Sequence, residues 1–256
     1  MQIYVCVKHV PDSAANIHIL GKDKIDERVA FLLNPYDEHA VSEAASLKKV
    51  NPDSEVIAVC VGKADAEKTI RSAMAMGADR GILIETEESC DSMKTARALS
   101  AAIQKDGNPD IILTGKESID AEGMQTMFRV GAIMDYPVMT NVVELNITDQ
   151  TAKVTCELAG GMTRTFETTL PCVVGAGRGL NTPSYPTFPD IVKARKKPVE
   201  TIDFDSLGVE PPNGSAKIVG LSPLVQQRSP KEITGSPVQI AKEMVRILKE
   251  EAKVIS

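Results

Sequence analysis

The fold class of this chain is decided by residues 55–85, which read EVIAVCVGKADAEKTIRSAMAMGADRGILIE. Two short apolar runs, Glu55–Val61 and Gly81–Glu85, have the length and bounded ends of buried strands. Between them, Ala64–Met76 places apolar residues at helical spacing, and Gly77 follows at a position where helices commonly end. This stretch predicts a strand, a helix and a second strand.

The same order of elements recurs before and after this unit, so that strands and helices alternate through the first half of the chain. Parallel neighbours in a sheet need crossover connections, which helices supply on both faces. The sequence therefore predicts an α/β fold with a doubly wound, mainly parallel sheet. The elements predicted outside residues 55–85 are strand Ile3–Val7, helix Glu38–Val50, helix Asp91–Lys105, strand Asp110–Thr114 and helix Asp120–Ile133.

The pattern changes at Val138. Three segments, Val138–Leu145, Ala152–Leu158 and Met162–Thr169, are short, alternating, and rich in Thr and Val. Turn-forming residues join them, so they predict an antiparallel extension of the same sheet. Pro171–Gly175 is then expected to form a last buried strand.

The remaining chain is rich in proline and poor in apolar residues from about Gly179 to Pro237. Such a segment predicts neither a compact helix nor a central strand. Helical periodicity returns only in Val238–Ile255, which could pack on another subunit or on its own domain. We therefore expect a nucleotide-binding α/β domain over residues 1–178, followed by a partner-docking segment and C-terminal arm over residues 179–256.

Composition excludes several classes of function. The chain has 29 basic and 35 acidic residues, a net charge of −6, and only 4% aromatic residues with no Trp. Nucleic-acid binders are usually basic or carry stacking aromatics, so we expect no nucleic-acid partner. The five cysteines form no CxxC pair, and no metal-ligand or catalytic-triad spacing is visible. No apolar run approaches the roughly 20 residues that span a bilayer, and no secretory signal is visible, so we expect a cytoplasmic protein without membrane insertion.

Loops after strands are the candidate binding elements, because ligands of open α/β sheets bind beyond the carboxyl ends of strands. Lys8–Ser13 and Thr114–Asp120 carry suitable polar groups, and the second could hold phosphate or be a plain capped loop. Asp91–Thr95 favours helix capping, although its hydroxyls and amides would also suit a pyrophosphate. Gly175–Gly179 lacks the GxGxxG spacing and is expected to form a turn.

Several motifs together resemble the beta subunits of electron-transfer flavoproteins over nearly the whole length. They are VCVKHVPD at 5–12, LNPYDE at 33–38, AMAMGADRG at 73–81, GKESID at 115–120 and LNTPSYPT at 180–187. The resemblance implies a Rossmann-like fold of the adenine-nucleotide alpha-hydrolase kind. It also implies a heterodimer with an alpha subunit, which holds most of the site for an FAD at the interface, while this chain binds a second nucleotide.

The resemblance also implies which residues hold these cofactors. Glu157 would lie near the interface FAD and pair with an arginine of the alpha subunit. The second nucleotide would contact Cys6, Asn34, Pro35, Tyr36, Asp37, Val61, Gly115, Lys116, Glu117, Ser118, Ile119, Asp120, Gly123, Met124, Gln125 and Thr126.

The identity of the second nucleotide stays open between FAD and AMP. Asp12 and Ser13, together with the pattern Asp-Ser-x-x-Thr that contains Ser92 and Thr95, resemble the electron-bifurcating members, which bind a second FAD. Those members imply NADH and ferredoxin as further partners. The absence of glycine between Glu85 and Cys90 favours the members that bind AMP.

The tail also fits the resemblance. Phe188 falls at the family's apolar anchor for a flavin-containing acyl-CoA dehydrogenase or reductase. A basic run of Lys193, Arg195, Lys196 and Lys197 follows it. An apolar anchor with a charged rim suits a transient docking segment. No catalytic acid, base or nucleophile is expected, and the alternative function is a nucleotide-binding sensor or stress-type module without redox activity.

Overall fold

The computed structural model describes residues 1–209, 218–223 and 230–255. It divides into two compact units, Met1–Val219 and Gly220–Ser256.

The first unit contains thirteen strands and five α-helices among its described residues. The strands are β1 (Gln2–Cys6), β2 (His9–Pro11), β3 (Ile19–Leu20), β4 (Lys24–Ile25), β5 (Phe31–Leu33), β6 (Glu55–Gly62), β7 (Arg80–Glu85), β8 (Ile111–Gly115), β9 (Val138–Thr148), β10 (Thr151–Glu157), β11 (Thr163–Thr169), β12 (Cys172–Ala176) and β13 (Val199–Asp203). The helices are α1 (Pro35–Val50), α2 (Glu67–Met76), α3 (Ser92–Asp106), α4 (Thr126–Met134) and α5 (Phe188–Ala194).

Nine of these strands form one sheet in the order β11-β10-β9-β12-β8-β1-β6-β7-β13. All neighbours from β9 to β13 are parallel, whereas β9, β10 and β11 pair antiparallel. The chain moves from β1 through β6 to β7 on one side, then returns to β8 on the other side of β1. The gap between β1 and β8 is therefore the topological switch point, where open α/β sheets bind ligands.

The core covers both faces of the parallel part. Strand β1 is fully buried at Ile3, Tyr4 and Val5, because helices lie on both sides of it. Helices α1 and α2 contribute to one apolar cluster, and α3 and α4 contribute to the other. This arrangement confirms the predicted doubly wound sheet and its antiparallel extension.

The structure also corrects several predicted elements. Helix α4 begins at Thr126 rather than at Asp120, because residues 119–121 form a turn. The small pairs β2–β5 and β3–β4 within residues 9–33 were not predicted. The Pro-rich tail contains helix α5 and strand β13, neither of which was predicted from the sequence. Strand β13 follows a proline and lies at the edge of the sheet, where such a strand is tolerated.

In the second unit, α6 (Pro237–Arg246) continues into a π-helical turn, Ile247–Glu251. The helix therefore ends before Ile255, the predicted limit. Ser236 caps its first turn by accepting a hydrogen bond from the Gln239 amide. Over the ranges that the structure describes, no helix is long and apolar enough to cross a bilayer.

Candidate functional site

The carboxylate of Asp37 lies at the switch point and joins the ends of two central strands. Its Oδ2 accepts a hydrogen bond from the Lys8 amide at 2.8 Å, just beyond β1. Its Oδ1 accepts one from the Gly115 amide at 2.9 Å, at the end of β8. One buried side chain therefore holds the two loops that the sequence analysis selected.

The start of α1 explains why Asp37 lies there. Asn34 precedes the helix and Pro35 is its first residue, a position with which the fixed φ angle of proline is compatible. Asp37 falls in the first turn, where the helix dipole stabilises negative charge. Burial nevertheless dominates and raises the pKa of Asp37 to about 7. The carboxyl group can thus change its charge near neutral pH.

Asn34 ties α1 to the loop after β8, residues 116–125, which we call the carboxyl-edge loop. Its Nδ2 donates to the Glu117 carbonyl at 2.9 Å, and its Oδ1 accepts from the Ile119 amide at 3.2 Å. Asn34 is only 1% exposed, so both bonds are shielded from water. The Asn34 side chain therefore fixes the path of this loop at residues 117 and 119.

Lys8 crosses from the β1 loop to the carboxyl-edge loop. Its Nζ lies 2.7 Å from Asp120 Oδ1 and 3.2 Å from Ser118 Oγ. Together with the contacts of Asn34 and Asp37, this contact brings Lys8 of the first predicted loop and residues 115–120 of the second into one cluster.

Gly115 permits the close approach of these elements. A Cβ atom there would lie 2.4 Å from Asp37 Oδ1 and 2.6 Å from the Cβ of Tyr36. Further along the loop, Glu122 and Met124 have positive φ angles of 48° and 49°, which are uncommon for residues other than glycine. Gln125 and Thr126 then begin α4, and no side-chain cap bonds its first turn.

Two cations lie over the ring of Tyr36. Lys116 Nζ is 5.3 Å from the ring centroid, and the Arg178 guanidinium carbon is 4.9 Å from it. Lys116 also lies 3.4 Å from Glu117 Oε1. Arg178 is not among the residues predicted from the sequence, because residues 175–179 were predicted only to form a turn. The available signal was a lone arginine directly after a buried strand.

Cys6 and Val61 lie near the carboxyl ends of β1 and β6. Cys6 is buried, and burial raises the pKa of its thiol to about 12. Burial also raises the thiol pKa values of Cys60 and Cys172. All three thiols therefore stay protonated near neutral pH, as expected for cysteines that pack in a core.

Asp12 and Ser13 lie in the turn after β2. Asp12 Oδ1 accepts a hydrogen bond from the Ala14 amide at 2.8 Å, so this carboxylate stabilises its own turn. Ser13 is exposed beside it.

The segment Asp91–Thr95 confirms the capping interpretation. Asp91 Oδ1 accepts hydrogen bonds from the amides of Met93 and Lys94 at 2.9 and 2.8 Å. These amides would otherwise lack a partner at the start of α3. The hydroxyls of Ser92 and Thr95 lie in the same partly exposed first turn.

Glu157 lies on the antiparallel extension but at the same edge of the sheet. The residue before it, Cys156, pairs with Val142, which pairs with Ala176, which in turn pairs with Gly115. Glu157 is exposed and lies three strands from β8, roughly 15 Å at ordinary strand spacing.

The docking segment, residues 180–197, presents an exposed aromatic side chain. Phe188 is 78% exposed at the start of α5, and Tyr185 is 86% exposed. Lys193, Arg195 and Lys196 are also exposed. Lys197 differs, because its Nζ donates to the carbonyl oxygens of Met74 and Ala78 within this chain.

The groups collected at the switch point suit a phosphate-bearing nucleotide. Lys116 and Arg178 supply cations, Ser118 supplies a hydroxyl, and Tyr36 supplies an aromatic surface. The Asp37 carboxylate is occupied by two backbone amides, which disperse its charge. Cations and hydroxyls of this kind bind phosphate oxygens.

Known proteins resemble this chain over its whole length. Residues 24–207 match the model of the electron transfer flavoprotein domain. The chain is 34% identical to the electron transfer flavoprotein subunit beta of Bacillus subtilis over 100% of both chains. It is 34% identical to the human subunit beta over 99% of both chains, and 38% identical to that of Syntrophomonas wolfei over 78% of this chain and 79% of the relative. The chain therefore belongs to the electron transfer flavoprotein beta-subunit family.

Proposed function

We propose that this chain is the beta subunit of a heterodimer that carries electrons between flavin dehydrogenases and other acceptors. The alpha subunit holds most of the site for the electron-transferring FAD, and this chain covers that site. FAD supplies the redox chemistry when bound, whereas the protein supplies binding, orientation and exclusion of water. The family membership of the whole chain supports this proposal.

The chain also binds a nucleotide of its own at the switch point. The observation that carries this proposal is the buried Asp37, next to Tyr36 in α1, which holds the ends of β1 and β8 together where the carboxyl-edge loop begins. Asn34 fixes the loop from the same helix. A nucleotide phosphate would meet Lys116, Arg178 and the loop amides, and Tyr36 would contact an apolar part of the ligand.

Two nucleotides meet this description, and one observation favours each. The Asp91 carboxylate accepts hydrogen bonds from the first amides of α3. A flavin pyrophosphate would compete with Asp91 for these amides, so this contact favours the smaller nucleotide, AMP. The hydroxyls of Ser92 and Thr95 are partly exposed in that same turn, which favours a second FAD. A second FAD would make the complex a bifurcating oxidoreductase that uses NADH and a low-potential acceptor such as ferredoxin.

The content of nucleotides in the purified heterodimer tests these proposals. The chain is co-expressed with its alpha partner, and FAD and AMP are counted after acid extraction. One FAD and one AMP would establish the AMP form, and two FAD would establish the bifurcating form. A colourless homo-oligomer that binds nucleotide but no alpha partner would instead support the sensor function. A heterodimer with a single FAD and no other nucleotide would contradict the site at the switch point.

The docking segment is proposed to bind the dehydrogenase. Phe188 would insert into an apolar pocket, and Lys193, Arg195 and Lys196 would face an acidic rim. Replacing an anchor of this kind usually costs at least about 2 kcal/mol of binding, roughly a 30-fold change. We therefore expect Phe188→Ala to raise the KM for a reduced acyl-CoA dehydrogenase by about that factor while flavin content stays the same.

A matched control is Phe128→Ala, which removes another exposed phenylalanine, 43% exposed, from α4. It should leave the KM for the dehydrogenase unchanged. Equal transfer kinetics in wild type and Phe188→Ala would refute the anchor assignment.

A further inference from the structure

We infer that Asn181 and Arg71 are positioning residues that hold the docking segment in its binding conformation before the dehydrogenase arrives. The inference rests on the proposed docking role of Phe188. Asn181 attaches the part of the segment that precedes Phe188, and Arg71 attaches the part that follows it. Neither residue is part of the exposed apolar surface of the segment.

The first contact fixes the start of the segment to α1. Asn181 Nδ2 donates to the His39 carbonyl at 3.0 Å and to Glu43 Oε2 at 2.9 Å. In return, His39 Nδ1 lies 3.0 Å from the Asn181 carbonyl oxygen and 3.2 Å from its Oδ1. Both partners of that ring nitrogen are acceptors, so Nδ1 carries the proton. Residues 181–187 have no regular secondary structure, and these bonds replace it.

A second bond to α1 follows three residues later. The Ser184 amide donates to Ser42 Oγ at 3.1 Å, and Ser42 is buried. The irregular strip before Phe188 is therefore attached to α1 at two points.

The second contact fixes the end of the segment to α2. Arg71 Nη1 donates to the carbonyl oxygens of Ala194 at 2.9 Å and Lys197 at 2.6 Å. Its Nε and Nη2 bond Glu67 Oε1 at 2.9 and 2.8 Å, which holds the guanidinium in place. The Ala194 carbonyl at the end of α5 accepts a turn hydrogen bond from the Lys197 amide at 3.2 Å rather than a helical one. A cation there is also favoured by the helix dipole.

The carbonyl oxygens at the end of α2 accept hydrogen bonds from a lysine that follows α5. Lys197 Nζ donates to the carbonyls of Met74 and Ala78 at 3.1 and 2.6 Å. The end of each helix is thus bonded by a cation from the other side of the contact: Arg71 of α2 bonds the end of α5, and Lys197, three residues after α5, bonds the end of α2. Ala194, which lies between these contacts, is 1% exposed and belongs to the core.

These contacts matter because α5 has only seven residues. A helix of this length is marginal by itself in water, so Phe188 would otherwise sample many orientations. Ordering such a segment on binding would lower the affinity for the dehydrogenase, whereas a segment ordered in advance avoids that loss. The side chains that bind the partner and those that hold the segment are therefore different residues.

The test uses three variants of the co-purified heterodimer: Arg71→Gln, Asn181→Ala, and the control Lys68→Gln on the exposed side of α2. An acyl-CoA dehydrogenase reduced by its acyl-CoA substrate, the same one for which wild type and Phe188→Ala are measured, is the electron donor. We expect Arg71→Gln and Asn181→Ala each to raise its KM roughly tenfold, a change equivalent to 1.4 kcal/mol, with kcat unchanged. Arg71→Lys should recover only part of the loss, because an ammonium lacks the fork that spans two carbonyls and Glu67.

Hydrogen exchange supplies a readout that is independent of the dehydrogenase. Amides of residues 187–197 should exchange faster in both variants, while those of α4 and the flavin content stay as in wild type. Unchanged exchange in this segment, or faster exchange without a rise in KM, would overturn the positioning role. Phe188→Ala measured in parallel separates the two proposals: if it raises KM while the Arg71 and Asn181 variants do not, only the positioning role fails. If Phe188→Ala has no effect, the docking role fails and the inference fails with it.

Discussion

Two regions of the molecule use polar side chains in opposite ways. One is the site at the switch point, formed by Asn34, Asp37, Gly115 and the carboxyl-edge loop, which we call the carboxyl edge; the other is the docking segment. At the edge, Asn34 and Asp37 are 1% and 5% exposed, and the same buried groups that form the site also hold the strands. In the docking segment, Phe188 is 78% exposed, and the groups that hold it, such as Arg71, lie behind it. Substitutions at the edge should therefore change stability and binding together, whereas substitutions in the docking segment can change them separately.

The largest expected effect comes from Asp37→Ala. It leaves the amides of Lys8 and Gly115 buried without an acceptor, at about 1–3 kcal/mol each. We expect the free energy of unfolding to fall by about 2–6 kcal/mol and the nucleotide to be lost on gel filtration. Urea unfolding and nucleotide content of the heterodimer measure both. Glu38→Ala, the adjacent and more exposed carboxylate, is the control, and an equal loss in both variants would contradict the role of Asp37.

The charge of Asp37 predicts a pH dependence. Its pKa in the folded chain is about 7, above its ordinary value of 3.8, so the native state binds this proton more tightly than the unfolded state. The contribution to stability is therefore complete below about pH 4 and is lost as the pH rises towards 7. The difference between a pKa of about 7 and one of 3.8 corresponds to at most about 4 kcal/mol.

Asp37→Asn isolates this contribution, because an amide does not titrate. The melting temperature of wild type should fall between pH 5 and pH 8 more steeply than that of Asp37→Asn, so the difference between them narrows as the pH rises. Other titrating groups affect both proteins and cancel in the comparison. Parallel curves over this range would show that the Asp37 carboxylate does not titrate as described.

Gly115→Ala tests how tightly the edge is packed. The added Cβ would lie 2.4 Å from Asp37 Oδ1, and overpacking of this kind costs about 1–3 kcal/mol. Gly123→Ala is a matched control in the same loop, because a Cβ there meets nothing within 4 Å. We expect the free energy of unfolding of Gly123→Ala to stay within about 0.5 kcal/mol of that of wild type. If both variants lose the same stability in urea, the close approach at Gly115 is not what limits the site.

The same two regions show how far the fold follows from the sequence. Strands β6 and β7 and helix α2 were predicted because their apolar spacing is a local property. Helix α5 and strand β13 were not, because they depend on distant partners: α5 on Arg71, 123 residues before Ala194, and β13 on pairing with β7. The proline content of the tail indicated loops, and tertiary contacts overrode it.

The candidate site was predicted in part for the same reason. Loops after β1 and β8 could be selected because ligands bind beyond strand ends. The sequence does not reveal that Asp37 joins them, because its partners Lys8 and Gly115 lie 29 and 78 residues away. Arg178 was missed since its distance from Tyr36 depends on β12 lying beside β8, a pairing that the sequence pattern does not specify.

The smallest expected effects separate two adjacent lysines of the basic run. Lys196 is exposed, so Lys196→Gln should leave the free energy of unfolding unchanged. At low salt it should slow electron transfer from the dehydrogenase by a factor that corresponds to less than about 1 kcal/mol of activation free energy. The transfer rate should also depend less on the NaCl concentration. Lys197 instead bonds the carbonyls that end α2, and burial lowers its pKa. Lys197→Gln should therefore lower the free energy of unfolding by about 1 kcal/mol and leave the salt dependence close to that of wild type. Transfer rates over a range of NaCl concentrations, measured beside urea unfolding, distinguish them. Lys197→Gln could instead weaken the salt dependence as much as Lys196→Gln, without loss of stability. That result would place Lys197 on the docking surface, and the residues that hold the segment would no longer be distinct from those that bind the partner at this position.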